Sequence, residues 1–191
     1  AVWDGWSFMP LKTLKSEEAD RKFREFCLTF TDEDAIATLA VYCDAHRSLV
    51  RVCDNYNISR RHPPPGRPQR NPVIERRIGM ALEGLRATLA TGCLPNCFWP
   101  MVGRAFAFNK CHESGSYLRV TGDERAFNTF VPGQLVFFMP APTIEKRAKT
   151  DPRLKPGVFM DYYVGPTGKF TSQYVVADLT DFAECNLHHR I

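Results

Sequence analysis

Apolar residues recur at helical spacing after Ser16 and form an unbroken run before Asp44. The spaced residues are Ala19, Phe23, Phe26 and Phe30. With Ser16 as the N-cap, this spacing predicts an amphipathic helix over residues 17–30. The unbroken run, residues 37–43, predicts a buried strand that ends at Asp44. Residues 48–56 have a weaker helical pattern.

A longer helix is predicted to begin at Pro72 and to end near Gly92. Asn71 is a suitable N-cap, and proline is favoured at the first helical position. The apolar stripe of this helix consists of Ile74, Ile78, Leu82, Leu85 and Leu89. Gly92 can supply the left-handed residue that ends the helix. The preceding stretch, residues 59–70, contains four prolines and is predicted to be a loop.

The pattern alternates with the period of a β-strand beyond residue 130. Strands are predicted over residues 134–139, 158–164 and 174–179, and Gly165 to Gly168 form a turn. Because no helical pattern separates these short strands, they predict a small barrel or meander. Between Gly92 and this region, Phe98, Trp99, Phe106 and Phe108 predict a packed connector, and residues 109–128 are a polar stretch with no clear pattern.

Composition places the chain among globular proteins, with 191 residues, 44% hydrophobic and 24% charged. The net charge of +4 permits a polyanionic partner without requiring one. Two basic clusters stand out, at Arg60, Arg61, Arg67, Arg70, Arg76 and Arg77, and at Lys146, Arg147, Lys149, Arg153 and Lys155. No run approaches the roughly 18 apolar residues of a membrane helix, so no membrane partner is expected.

Seven cysteines at irregular spacing leave one unpaired, which argues against a secreted disulfide framework. We therefore expect reduced thiols in an intracellular protein. Cys93, Cys97 and the Cys111-His112 pair match a zinc site only loosely. A half-buried Cys97 thiol, next to Phe98, is the expectation that we favour.

Asp44 and Glu75 are candidate ligands for a divalent metal. A carboxylate at a strand end and another in the first turn of a helix can converge although they are distant in sequence. The helix dipole also favours the ionised form of Glu75. On spacing alone, the commoner explanation is a surface acid at Glu75 and a strand terminator at Asp44.

Four segments resemble copia-type retrotransposon integrases. Residues 68–77, PQRNPVIERR, resemble the P-Q-x-N-G-V-A-E-R signature, whose Glu is the last member of a D-D-E metal triad. Residues 42–46 resemble the segment with the middle Asp, and residues 94–99 match L-P-x-x-F-W. Residues 153–162 look like the R-x-x-x-G-I-F-L-G-Y strand of the small barrel that follows the core.

The resemblance implies an α/β fold in four parts. Residues 1–92 would form a truncated RNase-H-like core, 93–129 a connector, 130–182 a small all-β barrel of the Src-homology type, and 183–191 a tail. Asp44 and Glu75 would hold Mg²⁺ or Mn²⁺ and serve catalysis. DNA would be bound by Arg67, Arg70, Arg76, Arg77, Lys146 and Arg147. The resemblance thus predicts an intracellular, nuclear protein that acts on DNA and allows a homo-oligomer.

Several positions depart from the family pattern. The first Asp of the triad would lie upstream of Ala1, so we expect the chain to be a fragment of a longer protein. Pro72 replaces the usual Gly, and Ala45-His46 replace the usual Asn. These departures predict a catalytically degenerate integrase fragment. The alternatives are a non-catalytic nucleic-acid-binding module and an inert relic.

Overall fold

A computed structural model describes residues 16–28, 40–42, 47–62, 72–124, 127–140, 150, 152–165 and 169–184. The helices are α1 (Ser16–Leu28), α2 (Arg47–Asn55), α3 (Pro72–Thr91), α4 (Trp99–Glu113), α5 (Ser116–Thr121) and α6 (Leu179–Ala183), with a 3-10 turn at Asn96–Phe98. The strands are β1 (Ala40–Tyr42), β2 (Ser59–Arg61), β3 (Leu135–Phe138), β4 (Lys155–Val164) and β5 (Phe170–Asp178). The fold is therefore a mixture of helix and sheet, as predicted.

The first four elements form a small β-α-β unit with an added helix. β1 and β2 are parallel, with Val41 opposite Arg60, and α2 is the connection between them. The apolar face of α1 packs on α2, as its helical spacing predicts. The core of this unit is built on Cys27, Cys53 and Ile58. Residues 48–56, with their weak helical pattern, are helical in the structure as α2.

The remaining elements pack around a three-stranded antiparallel sheet with the order β3-β4-β5. α4 packs on β4, α3 packs on α4, and α6 contacts β4 and β5. The buried residues form two clusters, one built on Ala105, Cys111, Tyr117, Phe159, Tyr162 and Phe170, and one on Leu89, Leu94, Val102, Val158 and Met160. Among the described strands β3 and β5 do not pair, so this part of the chain shows an open sheet rather than a closed barrel.

α3 begins at Pro72, as predicted, but its apolar stripe is buried only towards its end. Leu89 is 8% exposed and lies in one core cluster with Val102 of α4. Ile78 and Leu82, nearer the start, are 54% and 45% exposed. The described contacts of α3 with α4 therefore lie in its second half, where Gly84 also meets the ring of Phe106.

The end of α3 corrects one prediction. Cys93, not Gly92, has the left-handed backbone, with φ of 50°. The amide of Leu94 donates to the carbonyl of Leu89 at 2.9 Å, which closes the helix end one residue later than expected. Gly92 is needed for a different reason, because the carbonyl oxygen of Pro132 occupies the space that a Cβ atom would take.

The connector predicted over residues 93–129 consists largely of α4 and α5. Apolar residues lie on several sides of α4, since Val102, Ala105, Ala107 and Cys111 are all buried. α4 is therefore an internal helix that holds α3 on one side and β4 on the other. None of the helices in the described ranges is long and apolar enough to cross a lipid bilayer.

Candidate nucleic-acid and metal site

Glu75 lies in the first turn of α3, and its side chain is exposed. The first amide groups of an α-helix have no acceptor within the helix, and their partial positive charge favours a carboxylate there. Asp44, its expected partner, lies outside the described residues, two positions after the end of β1. The convergence of these two carboxylates therefore stays a prediction.

The expected metal site has one ligand in the described part of the chain, Glu75. Among these residues, no group of three or more His, Cys, Asp or Glu side chains could hold a metal ion. Cys93 and Cys97 are exposed, whereas Cys111 is buried within α4. The loose zinc pattern is thus not gathered into a site within the described residues, and the expectation of a half-buried Cys97 is wrong.

Two of the six cations expected to bind DNA are described, Arg76 and Arg77. Both are exposed and follow Glu75 directly in the first two turns of α3. The other four, Arg67, Arg70, Lys146 and Arg147, lie outside the described residues.

β2 adds further basic side chains before the proline-rich segment. Arg60 and Arg61 are both exposed, and Arg60 lies 3.5 Å from Asp54 of α2. Exposed ion pairs of this kind contribute little to stability, so the guanidinium of Arg60 can exchange partners at small cost. The strand before the proline-rich segment and the helix after it therefore both present cations to solvent.

Asp161 is a buried acid that the pattern analysis did not identify. It lies on β4, is 2% exposed, and accepts a hydrogen bond on Oδ1 from the amide of Tyr162 at 2.8 Å. Its buried Oδ2 lies 2.5 Å from Nη2 of Arg104, so the two side chains form an ion pair. Burial raises the pKa of Asp161 to about 6, against the opposing charge of Arg104. The sequence signal was an acid placed between Met160 and Tyr162 in an apolar strand.

Tyr162 joins three segments through its hydroxyl group. The hydroxyl donates to Oδ1 of Asn109 at 2.8 Å and accepts from the amide of Phe130 at 2.7 Å. Nδ2 of Asn109 donates in turn to the carbonyl of Phe130 at 3.0 Å. Burial raises the pKa of Tyr162 to about 12, so this hydroxyl stays protonated at physiological pH. The network is structural, and it fixes α4 against the sheet.

Comparison with known proteins gives no relative on which to base a function: no family model, no curated protein and no solved structure matches the chain.

Proposed function

We propose that this chain is part of a copia-type retrotransposon integrase, and that these 191 residues bind DNA without joining DNA strands. One observation carries the proposal, the order of the elements around Asp44 and Glu75. A strand, β1, ends two residues before Asp44, and a parallel neighbour, β2, precedes the proline-rich segment before α3. The first turn of α3 then holds Glu75.

Parallel pairing supports the approach of the two carboxylates. Because β1 and β2 run in the same direction, the chain leaves both strands at the same edge of the sheet. In the sequence, Asp44 comes two residues after β1, and the segment that leads to Glu75 comes after β2, so we expect both to start from this edge. The carboxyl edge of parallel strands is also where α/β proteins commonly bind their ligands.

The donor atoms fit Mg²⁺ or Mn²⁺, since both ions are bound in proteins through carboxylate oxygen atoms. A bound metal would supply Lewis-acid activation of a phosphodiester and of the attacking water. Asp44 and Glu75 would be two of the three acids in the family's triad, and the matched segments contain no third. Two carboxylates hold a metal pair poorly against the charge of a phosphate, so we expect these residues to bind DNA but not to cut or join it.

The basic residues next to Glu75 would provide the affinity. Arg76 and Arg77 are exposed beside the proposed metal ligand, where they can contact phosphates on either side of it. Such contacts are electrostatic and independent of sequence, so binding should show little sequence preference and fall steeply with salt.

A strand-joining assay tests the proposal directly. The full chain is incubated with a labelled DNA duplex and Mg²⁺ or Mn²⁺, and binding and joined product are measured in the same sample. We expect binding without product, in the wild type and in the Glu75→Gln variant. Glu83→Gln, an exposed acid two turns further along α3, is the matched control. A joined product that is lost in Glu75→Gln but kept in Glu83→Gln would refute the claim that strand joining is lost. Absence of DNA binding at low salt would refute the proposal that the chain binds DNA.

A further inference from the structure

Asp161 is the one buried ionisable carboxylate among the described residues. It projects from β4 next to a bulge that shifts the register with β5 between Phe159 and Asp161. Its two oxygen atoms have different surroundings. Oδ1 accepts a hydrogen bond from the Tyr162 amide, whereas Oδ2 is buried and lies against the guanidinium of Arg104.

Arg104 reaches this carboxylate from α4 with a side chain that is 51% exposed. One partner of the pair is therefore buried, while the other is half in water. In an ion pair of this kind, burial removes the hydration of the carboxylate, which costs free energy. The attraction to the guanidinium offsets this cost only in part, because water screens the exposed partner. When the side chain of Arg104 turns to solvent, water solvates its guanidinium. The buried carboxylate of Asp161 then has lost its ion-pair partner, so its charged form becomes unfavourable.

Among the described residues, Arg104 is the only charged group that acts on the carboxyl of Asp161. Val175 of β5 lies opposite it in the sheet register, and Tyr162 is neutral with its hydroxyl committed to Asn109. At the far end of β4, Lys155 lies 4.0 Å from Asp178 and is not among the groups that shift the pKa of Asp161. β3 contributes the apolar residues 135–138, and the acid of α6, Asp181, does not act on Asp161.

We propose that the ion pair between Asp161 and Arg104 links β4 to α4 in a proton-dependent way. The ion pair is formed in neutral solution and broken in mildly acidic solution. On release, Asp161 takes one proton from the solvent and stays buried as a neutral acid, and the guanidinium of Arg104 turns into water. The apolar contacts of Val102 and Ala105 keep α4 on the sheet. The guanidinium of Arg104, no longer paired with Asp161, then contributes its positive charge to the exposed surface of α4.

The direction of the stability change follows from the two ionisation states. In the unfolded chain the carboxyl has its ordinary pKa of 3.8, and in the folded chain burial raises the pKa to about 6. The folded state therefore binds the proton more tightly between these values. The contribution of Asp161 to stability is fully present below about pH 4 and is lost as the pH rises through about 6.

The test is a ¹³C NMR titration of the aspartate carboxyl groups in the full chain between pH 3 and 8. We expect one carboxyl with a midpoint near pH 6, absent in the Asp161→Asn variant and retained in the control Asp54→Asn. Arg104→Gln should move this midpoint upwards, because it removes the charge that opposes protonation. An Asp161 midpoint below about 4.5 in the wild type, or one that Arg104→Gln leaves unchanged, would overturn the proposal. The wild-type midpoint decides the matter even if a variant does not fold.

Discussion

The carbonyl oxygen of Pro132 stands where residue 92 would carry a Cβ atom, so that the end of α3 and the turn before β3 meet backbone to backbone at Gly92. The contact is reciprocal, because a Cβ on Gly133 would meet the backbone of Gly92. Gly133 also has φ of 93°, and its amide donates to the carbonyl of Phe159 at 2.8 Å. This pair of glycines thus joins α3 to the sheet.

Gly92→Ala should lower the free energy of unfolding by about 1–3 kcal/mol, because the added methyl group forces the backbone of residues 132–133 away. Urea denaturation followed by circular dichroism measures the change. Gly79→Ala is the matched control, since no atom lies within 4 Å of its Cβ position in the same helix. The control should stabilise the protein by about 0.5–1 kcal/mol. Equal effects of the two variants would contradict the close approach.

Cys93→Gly should raise the free energy of unfolding by about 0.5–1 kcal/mol. Cys93 is exposed and has φ of 50°, a conformation that costs a residue with a side chain about 1 kcal/mol and glycine almost nothing. Cys97→Gly is the comparison, an exposed cysteine in the adjacent 3-10 turn without a positive φ. It should give no gain in the same denaturation experiment. A loss of stability in Cys93→Gly would show that the thiol has a contact that outweighs the strain.

Tyr162→Phe should destabilise the protein by about 1–3 kcal/mol, because it leaves the part-buried amide of Phe130 and the side chain of Asn109 without their shared partner. Tyr163→Phe removes a hydroxyl from the next residue, whose side chain is 54% exposed, and should change stability by less than about 0.5 kcal/mol. Thermal and urea unfolding measure both. Similar losses in the two variants would contradict the role of the Asn109–Phe130 network.

The sequence pattern identified the elements whose apolar residues lie on one side. α1, the start of α3 and the strand β3, whose residues alternate between exposed and half-buried, were predicted within a few residues. α4 was missed as a helix because it is buried on several sides and has no one-sided stripe. The left-handed residue was predicted at Gly92 because glycine adopts this conformation most easily. The structure gives a different reason for glycine at position 92, which is the close approach of Pro132, 40 positions away in the sequence.

The candidate site likewise contains residues that local patterns predict and residues that only tertiary packing brings together. Local rules were sufficient to place Glu75 in the first turn of a helix, with Arg76 and Arg77 beside it. The contact between Asp161 and Arg104 joins residues 57 positions apart, and no local pattern reports such a pair. Whether Asp44 meets Glu75 is equally a question of tertiary packing, and it stays a prediction.

The salt dependence of DNA affinity tests the central claim most directly. Fluorescence anisotropy with a labelled duplex is measured from low to physiological salt for the wild type, Arg76→Gln and Arg86→Gln. Arg86 is an exposed arginine of the same helix, about 15 Å further from its start. We expect sequence-independent binding that weakens steeply with salt, and a slope of log K against log salt that is about 0.9 smaller in Arg76→Gln and unchanged in Arg86→Gln. No binding at low salt, or equal slopes for all three proteins, would contradict a DNA-binding surface at the start of α3.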